Sequence, residues 1–109
     1  MQLDRIPWQT TKYPGIDVHF YASDPPRSRR VLALIRMQPG CGYPRHRHRG
    51  TEEVTVLQGG YRDELGSYRA GAFVRYDEGS EHAPVAIDEP GASACVLLAL
   101  AHEGVKLLG

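Results

Sequence analysis

The sequence predicts an all-β sandwich or barrel. Short apolar or alternating runs of strand length recur along the chain, turn-forming residues separate them, and no heptad, repeat, low-complexity segment or long amphipathic helix interrupts the pattern. The 109 residues fit one domain, large enough to bury a core without disulfide or metal staples.

Each element has its own signal. Residues 1–14, with Trp8 and Tyr13, are expected to pack as an N-terminal arm on the barrel or on a second subunit, and this aromatic arm motivates the expectation of a homodimer. Residues 16–21 (Ile-Asp-Val-His-Phe-Tyr) alternate in polarity. Residues 30–38 are an apolar run, entered after Asp24-Pro25-Pro26 and left through Gln38-Pro39-Gly40. Residues 51–58 form the next strand, ended by Gln58-Gly59-Gly60. The pair Asp63-Glu64 reads as the hairpin turn before Gly66, with a second carboxylate site as its other use. Residues 72–76, 82–87 and 92–100 complete the set, divided by Asp77-Glu78-Gly79-Ser80 and Glu89-Pro90-Gly91.

Charge narrows the partners. Thirteen basic residues balance thirteen acidic ones, so no global field draws the chain to nucleic acid or to an anionic membrane. Eleven of the thirteen cations are arginine, which leaves room for local carboxylate or phosphate contacts. No run of about 18 apolar residues is present and the N-terminus lacks an apolar leader core, so a cytoplasmic protein without a membrane span is expected. Of the two cysteines, Cys95 lies in an apolar run and reads as a small core residue, Cys41 reads as an ordinary loop or strand residue, and no disulfide is expected.

Residues 40–53 carry the chemistry. His46 and His48 are two apart, and on a strand such residues project from one face and can close on a single ion. Arg45, Arg47 and Arg49 then turn to the opposite face. Glu52 keeps the parity of the histidines and leads on to Val54 and Val56, an interior-facing series. A bend or bulge at Gly50-Thr51 would bring Glu53 in instead, although the simpler register favours Glu52. The competing reading is a solvated basic strand, or a phosphate-contacting patch.

Together with residues 71–82, this segment resembles the paired signature of the cupin superfamily. The first motif, G-x5-H-x-H-x3-E-x6-G, is met by Gly40, His46, His48, Glu52 and Gly59; the second, G-x5-P-x-G-x2-H, is met by Gly71, Gly79 and His82, with Asp77 in place of proline. Asp77 loosens a turn rather than removing a ligand, and aspartate can itself start a turn by bonding to nearby backbone. The run from His46 to His82, through Asp63-Glu64, Gly66-Ser67-Tyr68 and Gly79-Ser80-Glu81-His82-Ala83-Pro84, is similar to the cupin domain of ChrR-type anti-sigma factors and to small-ketone dioxygenases. In those anti-sigma factors a separate N-terminal zinc-binding helical domain inhibits the sigma factor; the residues before Gly40 contain no His-x3-Cys-x2-Cys pattern, so no such domain is expected here.

The resemblance implies a single double-stranded β-helix, the jelly-roll-like cupin barrel. It also implies a divalent transition metal, iron, zinc, nickel, manganese or copper, held by His46, His48, Glu52 and His82. Nitrogen and oxygen donors suit all of these metals, and with no thiolate among them a closed cysteine-rich zinc site is disfavoured. The expected partner is a small-molecule ligand or substrate. Two functions follow, a dioxygenase acting next to a carbonyl or a non-catalytic sensing module, with a purely structural metal barrel ranked below them. No catalytic residue is assigned. Tyr43, Gln58, Tyr61, Arg75 and Tyr76 lie near the motifs and are candidates to orient ligands, against the plainer expectation of barrel packing. His19 and His102 read as surface or strand-end residues.

Overall fold

Side chains of alternate parity along three long strands build the floor of the molecule. In the computed structural model, which describes residues 2–21, 30–103 and 105–108, these strands are β3 (Arg30–Met37), β5 (Glu52–Gln58) and β11 (Cys95–His102). Central β11 pairs antiparallel with β3 on one side and β5 on the other, so that Ala33, Ala99 and Val54 form one cross-strand row, and Ile35, Leu97 and Val56 the next. The sheet extends outward through β2 (Ile16–Phe20) and β1 (Gln9–Thr10) beyond β3, and through β8 (Phe73–Tyr76) beyond β5.

Two three-stranded sheets lie over this floor. One joins β6 (Gly60–Asp63) and β7 (Gly66–Arg69) to β10 (Val85–Ala86); the other sets β4 (His46–His48) between β9 (Glu81–His82) and β12 (Val105–Leu107). Tyr61 of β6 and Ala86 of β10 enter the same core as Val54, Val56 and Leu97 of the floor. The three ladders do not close into one continuous barrel; the layers form a jelly-roll sandwich, and no α-helix occurs among the described residues. Nor is any helix there long and apolar enough to cross a membrane.

Several boundaries differ from the expected ones for local reasons. Residues 82–87 are two short strands, not one, because Pro84 lacks an N–H at the break and the Ala83 N–H is taken by the Glu64 carboxylate at 3.1 Å. The last long strand starts later, at Cys95, since residues 89–92 turn and the Ser93 and Ala94 carbonyls lie where a Cβ on Gly59 would clash, at 2.9 and 2.7 Å. Gly59 also has φ +65, so both its conformation and its crowding call for glycine. The turn signal Asp24-Pro25-Pro26 falls outside the described residues.

Before β1, the chain lies on the outer face of the large sheet, beside Arg36, Gln58 and Val96. The 3-10 turn η1 (Leu3–Arg5) accepts the Trp8 indole N–H on the Leu3 carbonyl at 2.9 Å, and the Arg36 guanidinium sits 4.5 Å from the Trp8 ring centroid while pairing with Asp17 at 2.8 Å. Cys95 is fully buried, which pushes its thiol up to about 12, and both cysteines are free.

Candidate metal centre

Strand parity gathers the first two candidate ligands of the cluster. Along β4 the exposure alternates, with His46 and His48 buried at 4% and 1% and Arg47 exposed between them. Pairing with β9 sets His46 directly opposite His82, itself 3% exposed. Glu52 begins β5 on the same inward parity as Val54 and Val56. One potential ligand atom from each of His46, His48, Glu52 and His82 lies within 4.8 Å of the others, so the group could hold a metal ion. Glu53 points to the other face, with Oε1 3.8 Å from His102 Nε2.

Each imidazole is held by its far nitrogen. His46 Nδ1–H donates to the Pro44 carbonyl at 2.9 Å, and His82 Nδ1–H to Asp63 Oδ2 at 2.9 Å. His48 Nδ1–H is shared between the Ser80 carbonyl (3.2 Å) and hydroxyl oxygen (3.0 Å), whose own proton goes to the Asp77 carbonyl at 2.6 Å. Carbonyl and carboxylate oxygens only accept, so this assignment puts the proton on Nδ1 and turns each Nε2 lone pair inward. There the Nε2 atoms of His46 and His82 stand 3.0 Å apart, and His48 Nε2 lies 3.4 Å from Glu52 Oε1.

This arrangement fits a cation. The buried His48 Nε2 has no hydrogen-bond partner, an expensive condition for a polar atom. Two nitrogens about 2.1 Å from one ion and at right angles stand about 3.0 Å apart, which is the His46–His82 relationship. Burial, together with the neighbouring imidazoles, lowers the pKa of His46 and of His82, favouring the neutral form that ligation requires.

Beside the cluster lies a cavity of about 260 Å³, lined by His46, Glu52 and His82 at its polar end and by Val31, Ala33, Ile35, Leu97, Ala99 and Ala101 on its floor. Among the described residues, no lysine or arginine lines it. Tyr43 borders it, with its ring 5.2 Å from that of His46, and burial raises its pKa so that the phenol keeps its proton.

The remaining candidates separate clearly. Tyr61 and Tyr76 join the polar network behind the cluster, Tyr61 O–H donating to Tyr76 at 2.6 Å and Tyr76 O–H to Asp63 Oδ2 at 2.7 Å. Gln58 instead donates to the Ala94 carbonyl, and Arg75 is exposed. The outward Arg45 and Arg47 are engaged by carboxylates, Arg45 by Glu64 and Arg47 by Glu81 at 2.8 Å, so neither stands as an open phosphate contact. The Asp77 turn is closed through its carbonyl, which accepts the Ser80 N–H and hydroxyl, and not through its carboxylate. Sequence reasoning read Asp63 as a turn residue, with a second carboxylate site as its other use, and Ser80 as part of a turn. Both bond to candidate ligand histidines, and only the pairing of distant strands shows it.

Comparison with known proteins agrees with this geometry. A family profile described as ChrR Cupin-like domain matches residues 1–101. The anti-sigma-E factor ChrR of Cereibacter sphaeroides is 41% identical over 56 residues, which are 51% of this chain and 26% of that protein. The crystal structure of Rhodobacter sphaeroides SigE in complex with the anti-sigma ChrR superposes with a TM-score of 0.79 at 30% identity, over 92% of this chain and 51% of that one. A putative acetylacetone dioxygenase from Methylibium petroleiphilum gives a TM-score of 0.85 over the whole chain and 79% of that chain; at 14% identity it speaks for the fold alone. This chain thus spans about half of the ChrR chain it superposes on, and its match covers about a quarter of the curated relative.

Proposed function

The chain belongs to the ChrR cupin-like domain family, and from that premise we propose that it is a metal-binding cupin that receives a small uncharged molecule beside its metal. The observation that carries this reading is the convergence of three Nδ1-anchored imidazoles and one carboxylate at the end of an apolar cavity. His46, His48 and His82 would bind a divalent transition metal (iron, zinc, nickel, manganese or copper) through Nε2, and Glu52 through its carboxylate. Bound there, the metal would supply a Lewis acid for a ligand carbonyl, or oxygen chemistry if it is redox-active. Among its described residues the chain supplies an apolar floor, Tyr43 at its border, and no lysine or arginine that would select an anionic ligand. In its catalytic form this reading is a dioxygenase acting next to a carbonyl.

A second reading is a non-catalytic sensing module, favoured by the identity to ChrR, which exceeds that to the dioxygenase. Its partner would be a sigma factor or a comparable regulator. Both readings carry forward the homodimer, for which light scattering is the measurement. The deciding experiment is the metal content of the protein purified without a metal-affinity tag, beside His46→Ala/His48→Ala. Near-stoichiometric metal lost in the variant supports the site. Oxygen uptake with diketones or hydroxyketones then favours the enzyme, whereas stoichiometric zinc without turnover favours the sensor. No metal after reconstitution would overturn both.

A further inference from the structure

The β6–β7 hairpin reaches the candidate centre from a different sheet, and the two acidic residues at its tip hold different parts of it. Asp63, whose side chain is wholly shielded from solvent, closes the turn by accepting through Oδ1 from the Leu65 and Gly66 N–H groups at 2.9 and 3.2 Å. Its other oxygen accepts from His82 Nδ1 at 2.9 Å and from the Tyr76 hydroxyl at 2.7 Å. The Tyr76 ring stacks on His48, centroids 5.1 Å apart and planes 22° apart, and lies 4.2 Å from the His82 ring. Glu64 accepts the Ala83 N–H through Oε1 and pairs through Oε2 with Arg45, next in sequence to His46.

A shielded carboxylate is costly unless its lone pairs are met, and Asp63 meets them with donors from the turn on one oxygen and from the cluster on the other. We propose that this hairpin is the positioning element of the metal centre: Asp63 sets the ring plane and tautomer of His82 and, through Tyr76, the wall behind His48, while Glu64 ties the His46 and His82 segments to the same turn. Its consequence for metal affinity rests on the metal-binding reading above. Asp63 contacts only the far side of the His82 ring, so it is a positioning residue. An isosteric asparagine offers one acceptor oxygen and one N–H2, and therefore cannot accept on both sides at once.

The test uses the full chain, with Zn2+ affinity measured by chelator competition and histidine tautomers read from long-range 1H–15N spectra of the metal-free protein. Asp63→Asn is expected to bind Zn2+ roughly 10–100-fold more weakly and to lose the single Nδ1-protonated form of His82. His46, held by the Pro44 carbonyl, should keep its tautomer. Asp63→Asn with wild-type affinity and an unchanged His82 tautomer would overturn the proposal. If that variant does not fold, Tyr76→Phe and Glu64→Gln carry the test: weaker Zn2+ binding supports the clasp, and wild-type affinity in both overturns it. Wild-type protein that bound no metal would sink the metal-binding reading instead, and the His82 tautomer would still uphold or overturn the positioning role.

Discussion

His46 and His82 face each other as direct partners across β4 and β9, their Nε2 atoms 3.0 Å apart and each Nδ1 tied to an acceptor. Two neutral rings so placed present lone pairs to one another, a contact that costs free energy until a shared cation lies between them. The backbone register creates this opposition, and the Pro44 carbonyl and the Asp63 carboxylate keep the rings from flipping out of it. The fold therefore holds these candidate ligands in an arrangement that could accept a metal ion.

That arrangement makes stability depend on pH. Burial lowers the pKa of His46 and His82 from the ordinary 6.5, so the unfolded chain takes up their protons first as pH falls. The unfolded state binds more protons in the window between 6.5 and the lower folded values, and stability is lost on going down through that window. Thermal melts in chelator should thus give a lower Tm at about pH 5.5 than at about pH 7.5, with a flatter profile in His46→Gln/His82→Gln. Identical profiles would mean that the rings are not held neutral.

Glu52 and Glu53 are neighbours with opposite fates. Glu52 Oε1 lies 3.4 Å from His48 Nε2, while Glu53 sits beside His102 on the outer face. Glu52→Gln should weaken metal binding by at least tenfold, and Glu53→Gln should leave it within twofold of wild type. Titration with Zn2+ against a chromophoric chelator distinguishes them, and the reverse ranking would place the bulge at Gly50-Thr51 after all.

The contrast between these two residues also marks how much was legible beforehand. Period-two parity was enough to pair His46 with His48 along β4, whereas Glu52 opens β5 in a different sheet and turns inward by that strand's own alternation with Val54 and Val56. The long strands were legible for the same reason, their apolar runs being continuous. What sequence could not show depends on long-range pairing: Asp63 meets His82 only because β6 and β9 belong to adjoining sheets, and the hairpin strands β6 and β7 are too polar on one side to announce themselves. The two-residue strand β1 and the short β12 likewise have no pattern of their own, and form because an edge is available to pair with.

Gly50 shows a constraint of the same hidden kind. A Cβ at this position would stand 2.3 Å from the His102 carbonyl oxygen, which belongs to backbone and cannot swing away. Gly50→Ala should cost about 1–3 kcal/mol, the usual penalty for overpacking. Because Gly50 lies between His48 and Glu52, the shift should weaken Zn2+ binding as well. Gly66→Ala, where the nearest atom would be the Tyr68 hydroxyl oxygen at 3.6 Å, is the matched control and should melt near wild type. Equal Tm values for the two variants would contradict the close approach.

The cavity owes its space to small residues on the floor. Ala99 pairs with Ala33 on one side and Val54 on the other, and Ala101 pairs with Val31 and with Glu52, so the open volume adjoins the candidate ligand carboxylate. Ala99→Leu would place its added carbons in that space instead of forcing them into packed neighbours, so stability should change by less than about 1 kcal/mol, below the range for overpacking a filled core. Metal content should persist, since Ala99 lies one row away from Glu52 and supplies no ligand. Binding of a small neutral fluorinated ketone, followed by 19F NMR on the metal-loaded protein, should be lost. A carboxylate of the same size should bind more weakly than the ketone to wild type, because no lysine or arginine lines the wall among the described residues. Retained ketone binding in Ala99→Leu would place the ligand outside this cavity and detach it from the metal cluster.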